Sequence, residues 1–243
     1  VELFSPPEGN SYFVNKIVAQ LPKEKILTSH IVKRVAEKDE GFEVQVIDGK
    51  NREILMVNCE KVIYAGDKHA LKYVYRNDFR SFEKNEYAPW VVVNFVMKSQ
   101  AGDAYWQNEI ISQDKSLMGF VDSRAQFSQD TSRVVFTVYY CFKPEEREMM
   151  SLIETRKEAF VAGTVKHLED YFDRPLTKDI EKVFIKQMGH AMPIPQPGYL
   201  FNDANKSRGN SNLAYAGVDN GRLPLLFEAI DSGTIAVKEV DLG

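Results

Sequence analysis

The closing stretch of this 243-residue chain constrains its fold more than any other. An apolar run, Leu213-Ala-Tyr-Ala-Gly217, passes through Val218 and Asp219 into the turn Asn220-Gly-Arg-Leu-Pro224, and apolar residues then recur at 226, 227, 230, 235 and 237. Proline suits the first turn of a helix and a spacing of three to four residues is helical, so the stretch predicts strand, turn, helix. Asp219 stands where the strand ends and the helix opens. Free backbone N–H groups and the helix dipole favour an electron-rich ligand at such a place. An ordinary strand-to-helix junction has the same appearance, so this stretch alone leaves both readings open.

The same order occurs earlier. Lys61-Val-Ile-Tyr-Ala-Gly66 is a short apolar strand ending in glycine, and Asp67 is placed to cap a short helix running through Val74. Two short apolar strands, each ending in glycine before a helix, are the pattern of a parallel sheet. Ahead of them, Phe4-Ser-Pro-Pro-Glu-Gly-Asn10 is a turn, and Asn10 or Ser11 can cap a helix with apolar positions 13, 14, 17, 18 and 21 that ends near Pro22. Residues 25–35, the alternating run Gly41–Ile47, the hairpin signal Asp48-Gly49 and Ile54–Val57 predict a small antiparallel meander.

The middle of the chain differs. Val91–Met97, preceded by Tyr87-Ala-Pro-Trp90 and carrying a polar Asn94, together with Ser116–Val121 and Arg133–Phe142, predicts strands of one sheet. Pro144–Phe172 predicts a long helix over that sheet, with acids 145, 146 and 148 at its N-terminus and apolar positions 149, 152, 153, 160, 161, 165, 168 and 172 on one face. Ile180–Met188 predicts a further strand, and the Pro-rich Gly189–Gly198 a loop.

Composition removes several function classes. Acids and bases are interleaved at a net charge of −4, which sets aside no basic face for nucleic acid and no polybasic anchor for a membrane. No apolar run is long enough to span a bilayer and the N-terminus lacks the order of a signal peptide, so the expectation is a cytoplasmic protein. Cys59 and Cys141 lie in apolar runs as free thiols without metal-ligand spacing, and the four scattered histidines form no metal cluster.

Taken together, the opening turn and helix, the strand ending Val62-Ile-Tyr-Ala-Gly66 and the closing Tyr215-Ala-Gly-Val-Asp219 to Ser232-Gly233 resemble the FAD-dependent amine oxidase superfamily, in the right order. The likeness is greatest to bacterial members, through Pro7-Glu-Gly-Asn10, Tyr87-Ala-Pro-Trp90 with Asn94, Gly189-His-Ala-Met192 with Pro195-Gln-Pro-Gly198, and Asp219 with Phe227-Glu-Ala229. No GxGxxG turn for a cofactor pyrophosphate occurs in the chain. The resemblance therefore covers the C-terminal part of such a flavoprotein, with its N-terminal half missing.

What the resemblance implies is an α/β chain with an α+β substrate domain. Residues 1–70 and 205–243 would form an incomplete FAD/NAD(P)-binding Rossmann-like domain, and 71–204 a mixed-sheet substrate domain covered by the long helix. The activity implied is passage of a hydride from substrate to flavin, with the isolated chain inactive and FAD held by the full-length protein rather than by this chain. A flavoprotein-like binding module without turnover is the alternative. Positions matching the cofactor site are Val32 beside the adenine, Ala65 and Gly66, Gly217, Asp219 with its carboxylate toward the ribityl hydroxyls, and Leu226 and Phe227 at a helix start under the flavin. His190 matches a position lining the flavin face, as base or substrate orienter, with a loop-fixing hydrogen-bonder as the other reading. Trp90, Asn94 and Met192 match the substrate pocket; Trp106 and Tyr140 wall it or belong to the strand core. Asn94 stands on the strand where many family amine oxidases carry a lysine. Implied partners are a small-molecule substrate and the missing N-terminal half, with a homo-oligomer left open.

Overall fold

The computed structural model describes residues 6, 8–77, 82–83, 85–98, 104–125, 134–197, 209–210, 212–220 and 223–241. In chain order its elements are α1 (Asn10–Val18), β1 (His30–Glu37), β2 (Phe42–Asp48), β3 (Ile54–Cys59), β4 (Val62–Tyr64), α2 (Leu71–Val74), β5 (Tyr87–Met97), β6 (Gln107–Glu109), β7 (Leu117–Asp122), β8 (Val134–Cys141), α3 (Met149–Thr155), α4 (Lys157–Phe172), β9 (Ile180–Pro193), β10 (Leu213–Tyr215) and α5 (Leu226–Asp241). Short 3-10 turns precede α2 at Lys68–Ala70 and follow β10 at Val218–Asn220. Contacts gather into two compact units, Val1–Val18 with Tyr87–Ala191 and Ala19–Glu86 with Met192–Gly243. The expected division at 70/71 and 204/205 thus stands beside observed joints at 18/19, 86/87 and 191/192.

In the first unit, five strands form one sheet in the order β6-β7-β8-β5-β9. β6–β7, β7–β8 and β5–β8 are antiparallel. The Lys98 N–H donates to the Asp179 carbonyl beyond one end of the β5–β9 pair, and Ile194 N–H to the Glu86 carbonyl beyond the other, so β9 also runs against β5. The sheet expected to be mixed is therefore antiparallel at each neighbouring pair. Among the described residues no α-helix stands between β6 and β7 or between β7 and β8, and parallel neighbours need a crossover. The one helical crossover, α3–α4, carries the chain from β8 past β5 to β9 and covers the sheet on its way.

That covered face is the core. Val91, Val93, Phe95 and Met97 alternate on β5 and are fully buried with Phe136 and Val138 of β8 against Ile153, Val165 and Leu168 of the helices. The helical segment is not one helix. It opens with a 3-10 turn at Pro144–Glu146 and breaks at Arg156, whose φ of −126° and ψ of 37° leave the helical region. β9 also continues through Gly189, His190 and Met192, so the expected loop begins only after Pro193. Proline as the last strand residue removes no ladder bond that the strand needs.

In the second unit β1, β2 and β3 form the expected antiparallel meander. β10 pairs in parallel with β4, Leu213 to Val62 through Tyr215 to Tyr64. A parallel pair is stable only when both faces are covered, and both are. Leu213 and Tyr215 pack with Val35, Phe42 and Leu71, while Ala214 and Ala216 pack with Ala236 and Val240 of α5. The side of α5 turned inward is thus Glu228, Ser232, Ala236 and Val240, at four-residue spacing. Alanines on β10 let the helix approach closely only through small residues. The apolar stripe read from the sequence points the other way, with Phe227 62%, Ile230 47% and Val237 47% exposed.

Candidate cofactor segment and substrate face

At the carboxyl ends of β4 and β10 the two glycine-and-acid turns meet. Asp67 makes no side-chain cap. The carboxylate that caps the following turn comes from 151 residues further on: Asp219 Oδ2 accepts the Lys68 N–H at 2.7 Å. Asp219 Oδ1 accepts the Lys68 ammonium at 3.3 Å, and that ammonium also donates to the Gly66 and Ala216 carbonyls. Both charged residues are buried. Burial pulls the Lys68 ammonium below its usual range, with the adjacent Asp219 charge acting against that shift. The Tyr64 phenol is pushed up to about 12 by burial first and by the charges of Asp67 and Asp219 next.

Gly217 has a φ of +125°, which a side chain would strain. A Cβ there would stand 3.2 Å from Lys68 Nζ and 3.4 Å from Asp219 Oδ1, and one at Gly66 would stand 3.0 Å from the Tyr64 ring. Asn220, also buried, donates from Nδ2 to the Tyr215 carbonyl at 2.9 Å, while its Oδ1 is buried without a donor. An FAD molecule expected at this turn is met by exposed backbone at Ala65 and Gly66, a half-buried Gly217 and the orphaned Asn220 acceptor. These fit a group lying along the backbone. The Asp219 carboxylate already has a partner on each oxygen.

The other positions expected from the sequence to meet a cofactor, Val32, Leu226 and Phe227, lie in the same unit. Val32 is 43% exposed on β1, an edge strand, where the register with β2 shifts between Val32 and Arg34. Leu226 is half-buried and Phe227 exposed at the start of α5.

On the sheet unit, Trp90 and Asn94 sit at the alternate positions of β5, on the face away from α3 and α4. The Thr137 hydroxyl donates to Asn94 Oδ1 at 2.7 Å, and the Trp90 ring meets Tyr139 edge-on at 5.9 Å. These four side chains share one half-buried sheet face. Tyr140 faces the other way, into the helical core, and Trp106 is exposed, so neither joins that face. His190 is exposed and meets the buried Tyr87 ring edge-on at 5.7 Å. Met192, half-buried near the end of β9, belongs to the second unit.

Lys68 and Asn220 were missed by sequence reasoning. A cation as the first residue after a strand-end glycine and acid was the available signal, since open helical turns disfavour positive charge there. Among the described residues no three metal-ligating side chains are grouped to hold an ion. Both cysteines are free thiols whose pKa burial raises. Among the described residues no helix is long and apolar enough to cross a membrane.

Solved structures similar to this chain include oxidoreductases and a mutase. An oxidoreductase from Methanosarcina mazei is 10% identical with a TM-score of 0.57, over 86% of this chain and 49% of its own. A reduced UDP-galactopyranose mutase is 11% identical with a TM-score of 0.63, over 96% of this chain and 51% of its own. The p-nitrophenol 4-monooxygenase of Pseudomonas putida DLL-E4 is 12% identical with a TM-score of 0.50, over 96% and 53%. The chain thus spans about half the length of these structures. No curated protein matches it. The family model for flavin containing amine oxidoreductases matches residues 2–223, and the chain belongs to that family.

Proposed function

We propose that the complete protein is an FAD-dependent, amine-oxidase-like oxidoreductase, with this chain supplying the substrate domain and the closing segment of a Rossmann-like nucleotide domain. The observation that carries the reading is the turn at residues 217–220. It lies outside the carboxyl ends of two parallel strands, where open α/β sheets take their ligands, and it holds an acceptor with no donor. Flavin, when bound, supplies the hydride acceptor. Ala65, Gly66 and Gly217 give it backbone approach, Asp219 stands in the turn, Leu226 and Phe227 open the helix beneath it, and Val32 offers edge-strand backbone to the adenine. Trp90 and Asn94 line the substrate side of the sheet unit, and His190 holds or moves a proton at its imidazole. The missing N-terminal half carries the pyrophosphate turn and covers the outward stripe of α5, whose Phe227, Ile230 and Val237 are exposed.

A second reading is a flavin-binding module without turnover. It is favoured by Asn94, which is tied to Thr137 on the strand where many relatives use a lysine. Rapid-mixing reduction of the complete protein by candidate amines separates the two. If the enzyme reading holds, His190→Ala keeps its flavin but is reduced about 10²-fold more slowly, the scale of a lost proton-transfer group. Wild-type flavin that no amine reduces would favour the module; an unchanged rate in the variant would remove His190 from the chemistry.

A further inference from the structure

Lys68 is a lysine with almost no exposure, and its burial is matched by its bonding. An ammonium has three N–H donors. Here the acceptors are the Gly66 carbonyl just past β4, the Ala216 carbonyl just past β10 and Asp219 Oδ1. The rings of Tyr64 and Phe82 wall the charge at 5.4 and 5.8 Å. One ammonium therefore ties together the carboxyl ends of both parallel strands. The backbone N–H of the same residue takes the other Asp219 oxygen. Each oxygen of the carboxylate thus accepts from Lys68, and a Cβ at Gly217 would stand 3.2 Å from Lys68 Nζ and 3.4 Å from Asp219 Oδ1, so the clasp packs against the bare backbone of the turn. Asn220, the next residue, keeps a buried acceptor that no donor among the described residues meets.

We propose that Lys68 is a positioning residue of the cofactor segment: it commits the Asp219 carboxylate to the frame of the turn, so that the turn meets a bound flavin through its backbone and Asn220, not through Asp219. Only the identity of the ligand rests on the flavin reading above. The clasp shapes residues 217–220, and releasing either partner releases the same turn.

The test uses the complete protein with Lys68→Met, Asp219→Asn and the double variant. Thermal unfolding of the apo form and the flavin dissociation constant, measured well below every Tm, are the two readouts. Each single change is expected to lower Tm by on the order of 10 °C, because the remaining buried charge loses its partner. The double variant should lose less than the sum, since the two side chains act on each other. Both single variants should weaken flavin binding by a similar factor, roughly tenfold, even where they are fully folded. Lys68→Gln keeps donors for the two carbonyls and replaces Lys68→Met if that variant does not fold. Additive Tm losses overturn the proposal. So does a Tm loss with unchanged flavin affinity, which makes the pair a stabilising one only, and so does flavin loss in Asp219→Asn without loss in Lys68→Met. A wild-type protein that takes up no flavin would sink the flavin reading and leave the clasp to be judged on Tm alone.

Discussion

The Tyr140 hydroxyl lies between the sheet and α4, 3.0 Å from Thr164 Oγ1. Thr164 gives its own proton to the Phe160 carbonyl at 2.9 Å, so Tyr140 is the donor in the pair. Burial pushes this phenol up to about 12, as it does that of Tyr64. In an unfolded chain tyrosine titrates near about pH 10. Between about pH 10 and about 12 the folded protein keeps protons that the unfolded chain releases, so stability is lost as pH rises through that window. Urea unfolding followed by circular dichroism at about pH 8 and about pH 11 should show this loss. Tyr140→Phe should cost about 1 kcal/mol at the lower pH for the lost hydrogen bond, yet lose less on going to the higher one. An equal alkaline loss in the variant would mean that Tyr140 is not one of the groups responsible.

Among the elements, those with a strong local period were legible. The meander, β5, β8 and α5 form where alternation or helical spacing placed them, and β4 and β10 where short apolar runs end at a glycine. What failed was decided by distant contacts. Asp67 looked like a helix cap, but the cap is Asp219, which no local window around residue 67 contains. The Pro-rich Gly189–Gly198 looked like a loop, but Gly189 is tolerated within β9 and Pro193 ends it. Arg156 carries no breaker signal, yet the helix breaks there. For α5 the helix was legible and its buried side was not, because Ala214 and Ala216 admit only small residues against them. That inversion predicts an inverted mutational response in residues 1–243. Ala236→Leu should destabilise by about 1–3 kcal/mol through overpacking, while Phe227→Ser should stay within about 0.5 kcal/mol. With the stripe covered by the proposed N-terminal half, Phe227→Ser in the complete protein should instead cost roughly 1.5–3 kcal/mol. Denaturant unfolding of both forms checks the contrast, and an equally small effect in both would mean that nothing covers the stripe.

For the whole molecule, the chain is a member of the flavin containing amine oxidoreductase family that spans about half the length of its structural neighbours. In the five-stranded sheet β5 and β8 were readable because they alternate cleanly. The β4–β10 pair was readable only through its glycines, whose internal packing against Tyr64 and Lys68 no sequence pattern announces. The proposed division of the cofactor site between this chain and an N-terminal half implies that the phosphate donors are lost when the halves are separated, because the pyrophosphate charges are then left without a glycine-rich turn and helix N-terminus. Titration of FAD against residues 1–243, beside the same titration of the complete protein, tests this most directly. The divided site predicts no saturable binding in the micromolar range for residues 1–243 and stoichiometric flavin in the complete protein. Residues 1–243 purifying with tightly held flavin would contradict it.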